Sequence, residues 1–200
     1  MIGVLAIQGG FAAHINVLRR LGVPHREVRL PADLAGLQGL IIPGGESTTM
    51  LKLLQAFDMK QPLQEFAASG RPILGTCAGA ILMAERVTHP EQESLGWIPV
   101  TIERNAYGSQ RESFQTTQAC EAWEMDAFPA LFIRAPRFRE PRSEVEVLTR
   151  LDDHITGVRY KHFTAITYHP ELTEDDRFHQ AWLTHQVHGA ETEPVEQVTT

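Results

Sequence analysis

The stretch from Pro72 to Ala80, Pro-Ile-Leu-Gly-Thr-Cys-Ala-Gly-Ala, constrains the fold more than any other part of this chain. An apolar run ends at Gly75, and a helix-like run from Ala78 to Ala84 begins directly after Cys77. A strand, a sharp turn and a helix, with small residues beside a cysteine, form the pattern of a nucleophile elbow, G-x-S-x-G, with Cys in place of Ser. We expect strained backbone at Cys77 and a helix N-terminus that favours its thiolate. The alternative is a buried cysteine in a glycine-rich turn.

Buried-type strands that alternate with helical patterns predict the fold class. Residues 2–7 and 37–42 are typical of strands buried on both faces of a parallel sheet. Helical spacing follows over residues 15–21 and 50–54, and Ser47 or Thr48 is the expected N-cap of the second helix. We therefore predict an α/β fold, a three-layer sandwich around a mostly parallel sheet, with ligands at the carboxyl ends of the strands.

The second half of the chain has a different pattern. Little helix separates its strand candidates, so we expect antiparallel strands at an edge of the sheet, followed by a closing helix over residues 178–187. The candidates are residues 100–102, 131–133, 145–148, 155–160 and 163–168. We expect residues 1–188 to form a single domain and residues 189–200 to be a disordered tail.

Composition and charge narrow the classes of function. The 200 residues carry a formal net charge of −7, which argues against nucleic acid or an anionic membrane as a partner. No apolar run approaches the roughly 20 residues that span a bilayer, and the first residues lack the basic region of a signal peptide. The two cysteines are Cys77 and Cys120. A catalytic Cys77 must remain a free thiol, so we expect a cytoplasmic location, and Cys120, which lacks an elbow pattern, is expected to be inert.

A cysteine nucleophile needs a base, and the base needs a group that orients it. Among nine histidines, His169 is the best placed, because it lies where the apolar run 163–168 ends. Pro170 disfavours continuation as a central strand. Glu171 is close enough in sequence to hold the imidazole in one tautomer. The pattern therefore predicts a triad of Cys77, His169 and Glu171, and the alternative is a surface His-Pro-Glu turn.

The remaining histidines give weaker signals. His14 lies near the start of the first predicted helix, where it could approach the site, but we expect it on the helix surface. His185 and His188 have the spacing of metal ligands. No cysteine or close-set aspartate pattern completes a metal site, so helix-surface histidines are the favoured interpretation.

The segment Pro43-Gly-Gly-Glu-Ser47 is the second informative stretch. Two glycines at a strand end can point backbone N–H groups at an anion. A phosphate site is one alternative, but the P-loop pattern is absent and Glu46 would repel phosphate. We expect instead an oxyanion hole formed by the N–H groups of Gly45 and Ala78. Arg104 could pair with a substrate carboxylate, or be an ordinary surface charge.

Together these stretches resemble class I glutamine amidotransferases, the triad glutaminases. The resemblance narrows to the glutaminase subunits of pyridoxal 5′-phosphate synthase, the PdxT/SNO family, and extends from residue 1 to about residue 187. It rests on Gly-Thr-Cys-Ala-Gly (75–79), Pro-Gly-Gly-Glu-Ser-Thr-Thr (43–49), Glu-Arg-Asn-Ala-Tyr-Gly (103–108), Phe-Ile-Arg-Ala-Pro (132–136) and His-Pro-Glu-Leu-Thr (169–173).

The resemblance implies a flavodoxin-like class I glutaminase fold and the hydrolysis of L-glutamine to glutamate and ammonia. Cys77 would form a glutamyl thioester, with His169 as base and Glu171 as its orienting group. The residues that the family pattern assigns to glutamine binding are Gly45, Glu46, Ser47, Arg104, Ile133 and Arg134. No metal or cofactor is implied.

The resemblance also implies a partner that receives the ammonia. This partner would be a (β/α)8-barrel synthase subunit, arranged as a dodecameric core, which builds pyridoxal phosphate from a pentose phosphate and a triose phosphate. Two alternatives stay open from the sequence. The chain could be a glutaminase that serves another acceptor, such as imidazole glycerol phosphate synthesis, or a non-catalytic binding subunit in which Cys77 is idle.

Overall fold

The structure is a computed structural model that describes residues 1–106 and 113–189. Its strands are β1 Ile2–Leu5, β2 His25–Val28, β3 Gly39–Ile42, β4 Ile73–Thr76, β5 Ala84–Thr88, β6 Ile98–Glu103, β7 Ser113–Cys120, β8 Met125–Ile133, β9 Arg137–Arg139, β10 Glu146–Leu151, β11 His154–Tyr160 and β12 Phe163–Ile166. Its α-helices are α1 Phe11–Arg20, α2 Ser47–Ala56, α3 Lys60–Ala68, α4 Ala78–Met83 and α5 Arg177–Trp182.

A large, mostly parallel sheet organises the molecule, with the strand order β2-β1-β3-β4-β12-β11-β9-β6-β5 and with β10 paired to β11. The first five strands in this order are parallel. The chain runs outward from β1 in both directions, to β2 on one side and to β3 on the other. Such a reversal of strand order opens a crevice at the carboxyl ends of the strands.

The two faces of the sheet bury separate hydrophobic clusters. Alternate residues of β3 divide between them, because Leu40 and Ile42 face one cluster and Ile41 faces the other. Helices α2, α3 and α4 cover the first face, and α1, α5 and the β7–β8 hairpin cover the second. The predicted α/β class with helices on both sides of a mostly parallel sheet is confirmed.

The second half of the chain adds antiparallel strands to one side of the sheet, as predicted. Antiparallel pairing occurs within the sheet, from β12 through β11 and β9 to β6, while the outermost pair, β5 and β6, is parallel. The strands β7 and β8 form a separate two-stranded sheet. Strand β7 is not predicted by the sequence pattern, because its largely polar residues, among them Gln115, Thr117 and Gln118, form no apolar run.

Several helix ends also differ from prediction. Helix α2 is capped by Glu46, whose carboxylate accepts the Thr49 N–H at 2.9 Å, and not by Ser47 or Thr48. The closing helix is α-helical only to Trp182 and continues as a π-helical turn over Leu183–His188. The predicted tail from residue 190 onward and the Tyr-Gly pair of the 103–108 motif lie outside the described residues. Among the helices that are described, none has the length and apolar character needed to cross a membrane.

Candidate active site

The elbow at Cys77 has the strained geometry that its small neighbours permit. Cys77 follows β4 with φ 48° and ψ −101°, a conformation that a residue with a side chain rarely adopts. Its N–H donates to the Ile166 carbonyl at 2.8 Å, which fixes the turn against β12. A Cβ at Gly79 would collide with the backbone carbonyl of Ile42, and one at Gly75 would lie 2.8 Å from the carbonyl carbon of Gly79. Glycine is therefore required on both sides of the cysteine.

His169 and Glu171 are held where β12 ends. Their connecting residue Pro170 begins a short 3-10 helix, and the His169 N–H donates to the Leu131 carbonyl of the hairpin at 2.8 Å. The imidazole Nδ1 lies 2.7 Å from Glu171 Oε1. A carboxylate only accepts hydrogen bonds, so Nδ1 carries the proton and Nε2 is left for the thiol.

The side chains of Cys77 and Glu171 favour the ionised form of His169. Burial lowers the pKa of His169, but its interactions with the Cys77 side chain and with Glu171 outweigh burial and raise the pKa to about 10. Burial raises the pKa of Glu171, whereas His14 and His169 lower it to about 2. Because burial also lowers the pKa of His14, that ring is neutral at pH 7. We therefore attribute the charged state of Glu171 to His169.

The loop after β3 passes directly over the cysteine and the histidine. A Cβ at Gly44 would overlap the His169 ring and lie 3.4 Å from the Cys77 Cβ. The Gly44 carbonyl accepts the Gly10 N–H at 2.9 Å, so the Gly45 N–H of the same trans peptide points the opposite way. The Glu46 N–H donates to the Gln8 side chain at 3.0 Å. The loop therefore approaches Cys77 and His169 most closely at Gly44, and the Gly44–Gly45 peptide is held by its carbonyl.

Arg104 lines the same cavity as Cys77 and is held by a polar network. Its guanidinium donates to Gln92 Oε1 at 2.8 Å and to Glu46 Oε1 at 3.2 Å. The Ser47 hydroxyl also donates to Gln92 Oε1, at 2.9 Å. Hydrogen bonds from Thr48 and Thr49 hold the pKa of Glu46 down, at about 2, against the effect of burial. The Arg104 guanidinium and the ionised Glu46 carboxylate therefore lie in contact at neutral pH.

These groups meet in a cavity of about 540 Å³ at the carboxyl ends of the strands. Nine predicted site residues line it, namely Cys77, His169, Glu171, Gly45, Glu46, Ser47, Arg104, Ile133 and Arg134. The tenth, Ala78, is buried directly behind Cys77 as the first residue of α4. Asn105 and Arg134, which also line the cavity, have positive φ angles of 50° and 40°. Residues with positive φ also occur away from the cavity, so among these three only the ψ of −101° sets Cys77 apart.

The structure corrects the expectation for His14. Its side chain is not on the helix surface but fully buried, with Nε2 3.1 Å from Thr76 Oγ1 and 3.5 Å from Glu171 Oε1. His179, which gave no distinct signal in the sequence, lies behind it, 2.9 Å from His14 Nδ1. Sequence reasoning also missed Gln8 and Gln92. Gln8 directly follows the apolar run 2–7 and could have been found from that position, whereas Gln92 lies in a polar stretch that gives no signal.

No group of three metal-binding side chains occurs within residues 1–106 and 113–189. His185, part of the pair with metal-ligand spacing, stacks on Trp123 with ring centroids 5.8 Å apart. Cys120 is fully buried, and burial raises the pKa of its thiol.

Comparisons with known proteins agree with this geometry. Residues 4–188 match the model of the SNO glutamine amidotransferase family. The chain is 46% identical over 182 residues to pyridoxal 5′-phosphate synthase subunit PdxT of Thermotoga maritima, covering 91% of this chain and 97% of the relative. It is 48% identical over 185 residues to the protein of the same name from Corynebacterium diphtheriae, covering 92% and 98%.

A solved structure described as a glutamine amidotransferase superposes with a TM-score of 0.86 at 44% identity, over 92% of this chain and 97% of that structure. The family model matches nearly the whole described chain, and the relatives match more than nine-tenths of it. The chain belongs to the SNO glutamine amidotransferase family.

Proposed function

We propose that this glutamine amidotransferase hydrolyses L-glutamine to L-glutamate and ammonia at Cys77, and that the ammonia is delivered to a partner synthase subunit for pyridoxal 5′-phosphate biosynthesis. The observation that carries the proposal is the 2.7 Å contact between His169 Nδ1 and Glu171, which leaves His169 Nε2 for Cys77 in the same cavity. A cysteine, a base and an orienting carboxylate are the parts that covalent amide hydrolysis requires.

The reaction has two halves. His169 Nε2 takes the thiol proton, and the Cys77 sulfur attacks the side-chain amide carbon of glutamine. The amide C–N bond then breaks, His169 returns the proton to the leaving nitrogen as ammonia forms, and a glutamyl thioester remains. Water, deprotonated by His169, attacks the thioester and releases glutamate and the thiol.

The tetrahedral intermediates of both halves carry an oxyanion. The Gly45 and Ala78 N–H groups are the proposed donors, since the first N–H of a helix has no intrahelical acceptor and Gly45 follows the glycine that contacts Cys77. Each such donor typically contributes about 3–4 kcal/mol to lowering the barrier.

The Arg104–Glu46 ion pair in the cavity matches the amino-acid end of glutamine in its charges. Arg104 is the proposed partner of the substrate α-carboxylate, and Glu46, ionised at neutral pH, is the proposed partner of the α-ammonium group. Ser47, Ile133 and Arg134 complete the walls. A glutamine bound at this ion pair would thus present its amide, at the other end of the molecule, to Cys77.

The acceptor of the ammonia is proposed from the relatives. Proteins 46–48% identical to this chain are named as subunits of pyridoxal 5′-phosphate synthase. We propose that this chain likewise docks on a (β/α)8-barrel synthase subunit with a dodecameric core, in the cytoplasm, and that neither nucleic acid nor a membrane is a partner.

The test is ammonia release from L-glutamine, with and without a pyridoxal 5′-phosphate synthase barrel subunit. We expect Cys77→Ala to abolish release and Cys120→Ala, the matched loss of the other thiol, to retain it. We also expect release to increase with this synthase subunit and not with the synthase of another glutamine-dependent enzyme. Unchanged release by Cys77→Ala would overturn the catalytic role, and activation only by a different synthase would overturn the proposed acceptor.

A further inference from the structure

Two histidines outside the triad lie in the core directly behind it. His14 is on α1 and His179 on α5, and both side chains are fully buried. Their ring centroids are 5.2 Å apart. Full burial of two polar rings is unfavourable unless their nitrogens are hydrogen-bonded, so the pair needs an explanation.

The four ring nitrogens of the pair have defined surroundings. His14 Nδ1 contacts His179 Nε2 at 2.9 Å, and His14 Nε2 contacts Thr76 Oγ1 at 3.1 Å. The same Nε2 lies 3.5 Å from Glu171 Oε1, an electrostatic contact longer than a hydrogen bond. His179 Nδ1 is buried and finds no partner in the part of the chain that is described.

These surroundings decide which nitrogens carry protons. A neutral imidazole has one N–H, and a buried unpaired N–H is rarer than a buried unpaired acceptor. His179 therefore carries its proton on Nε2 and donates it to His14 Nδ1. His14 must then carry its proton on Nε2, aimed at Thr76 and at the Glu171 oxygen that accepts from His169.

We propose that His14 is a positioning residue, oriented by His179, whose neutral Nε2–H holds the Glu171 carboxylate in place against His169. The inference rests on the proposed roles of Cys77, His169 and Glu171. The 3.5 Å contact is made by the same oxygen, Oε1, that accepts from His169, while Oε2 is buried without a hydrogen-bond partner among the described residues. Glu171 Oε1 thus faces two imidazoles, His169 at hydrogen-bond distance and His14 at 3.5 Å.

The neutral state of the pair suits this role. Burial, with the neighbouring charges as smaller effects, lowers the pKa of His14, and it lowers the pKa of His179 to about 3. The charged or titratable groups acting on the pair are Glu171 and His169, together with Asp176 and Arg20, which pair with each other. A neutral N–H stabilises the carboxylate without a second positive charge to compete with His169.

The experiment measures the pH dependence of Cys77 alkylation by iodoacetamide, with Cys77→Ala as the blank for Cys120. His14→Leu removes the N–H, whereas His14→Gln keeps an N–H near the position of Nε2. A less firmly held Glu171 stabilises the His169 imidazolium less. We therefore expect the pH midpoint of alkylation to rise by about one unit in His14→Leu. At a pH below both midpoints, this shift corresponds to about tenfold less Cys77 thiolate. We expect His14→Gln to restore most of that shift.

A folded His14→Leu with the original midpoint would overturn the proposal, and so would a His14→Gln midpoint displaced as far as that of His14→Leu. If His14→Leu does not fold, the same measurement is made on His179→Leu. A midpoint shifted to higher pH supports the orientation of His14 by His179, and an unchanged midpoint overturns the proposal. Alkylation needs no glutamine, so a lack of ammonia release would count against the proposed function alone.

Discussion

The turn around Cys77 and the hairpin end around Cys120 each hold a buried cysteine, and the two cysteines differ in backbone conformation and in the partner of the thiol. Cys77 is 8% exposed and Cys120 is 0% exposed, so burial alone hardly separates them. Cys120 ends β7 with φ −132°, an unstrained extended conformation, and burial raises its pKa. Cys77 has left-handed backbone and an imidazole partner. Backbone and partner therefore distinguish the two cysteines more than exposure does, and we expect Cys77 to be the reactive one.

The largest effect expected in this comparison comes from removing the base. We expect His169→Asn to lower ammonia release, measured with the synthase subunit present, by about 10³-fold. The matched control is His185→Asn, because His185 stacks on Trp123 near Cys120 and is remote from the cavity. Equal losses in the two variants would show that the decrease is structural.

Gly79 at the elbow and Gly157 on β11, whose neighbour Thr156 contacts Gln118 of β7, differ in what a methyl group would meet. At Gly79 a Cβ would collide with the Ile42 backbone carbonyl, which cannot move, so we expect Gly79→Ala to lower the free energy of unfolding by about 3 kcal/mol. At Gly157 the nearest atom is the Thr149 side chain, which can rotate, so we expect about 1 kcal/mol. Urea denaturation measures both, and the reverse order would contradict the tight elbow.

The dependence of stability on pH tests the ionised pair. His169 has its pKa raised from 6.5 to about 10 on folding, so it stabilises the fold fully below pH 6.5 and loses that effect as the pH rises toward 10. We expect the free energy of unfolding to fall by more than about 1 kcal/mol across this range. In His169→Asn the fall should be reduced, whereas a curve unchanged from wild type would place the ionised group elsewhere.

The smallest expected effect concerns substrate binding. Gln92 holds Arg104 and Ser47 through one oxygen, so we expect Gln92→Ala to raise the KM for glutamine about fivefold with little change in kcat. Gln118 is the matched glutamine beside Cys120, where it accepts from Thr156 at 2.7 Å. Gln118→Ala should lower stability and leave KM unchanged. A kcat effect at Gln92 would instead place it nearer the chemistry.

The sequence predicted the first region better than the second for physical reasons. Around Cys77 the apolar strand, the glycines and the turn all depend on neighbours in sequence, so local pattern sufficed. The β7–β8 hairpin has a polar first strand and its own small sheet, which no apolar run indicated. His14 was wrongly expected on the surface, because only the packing of α1 against α5 and the Glu171 turn shows that its side chain is buried.

The most direct test of the central claim is the mass spectrum of the chain, with the synthase subunit present, after reaction with a glutamine analogue that has a chloroketone in place of its amide. We predict one adduct per chain, mapped to the Cys77 peptide, suppressed by excess L-glutamine and slowed in His169→Asn. An adduct on Cys120, or labelling of Cys77 that L-glutamine does not suppress, would contradict the claim that Cys77 is the nucleophile of a glutamine site.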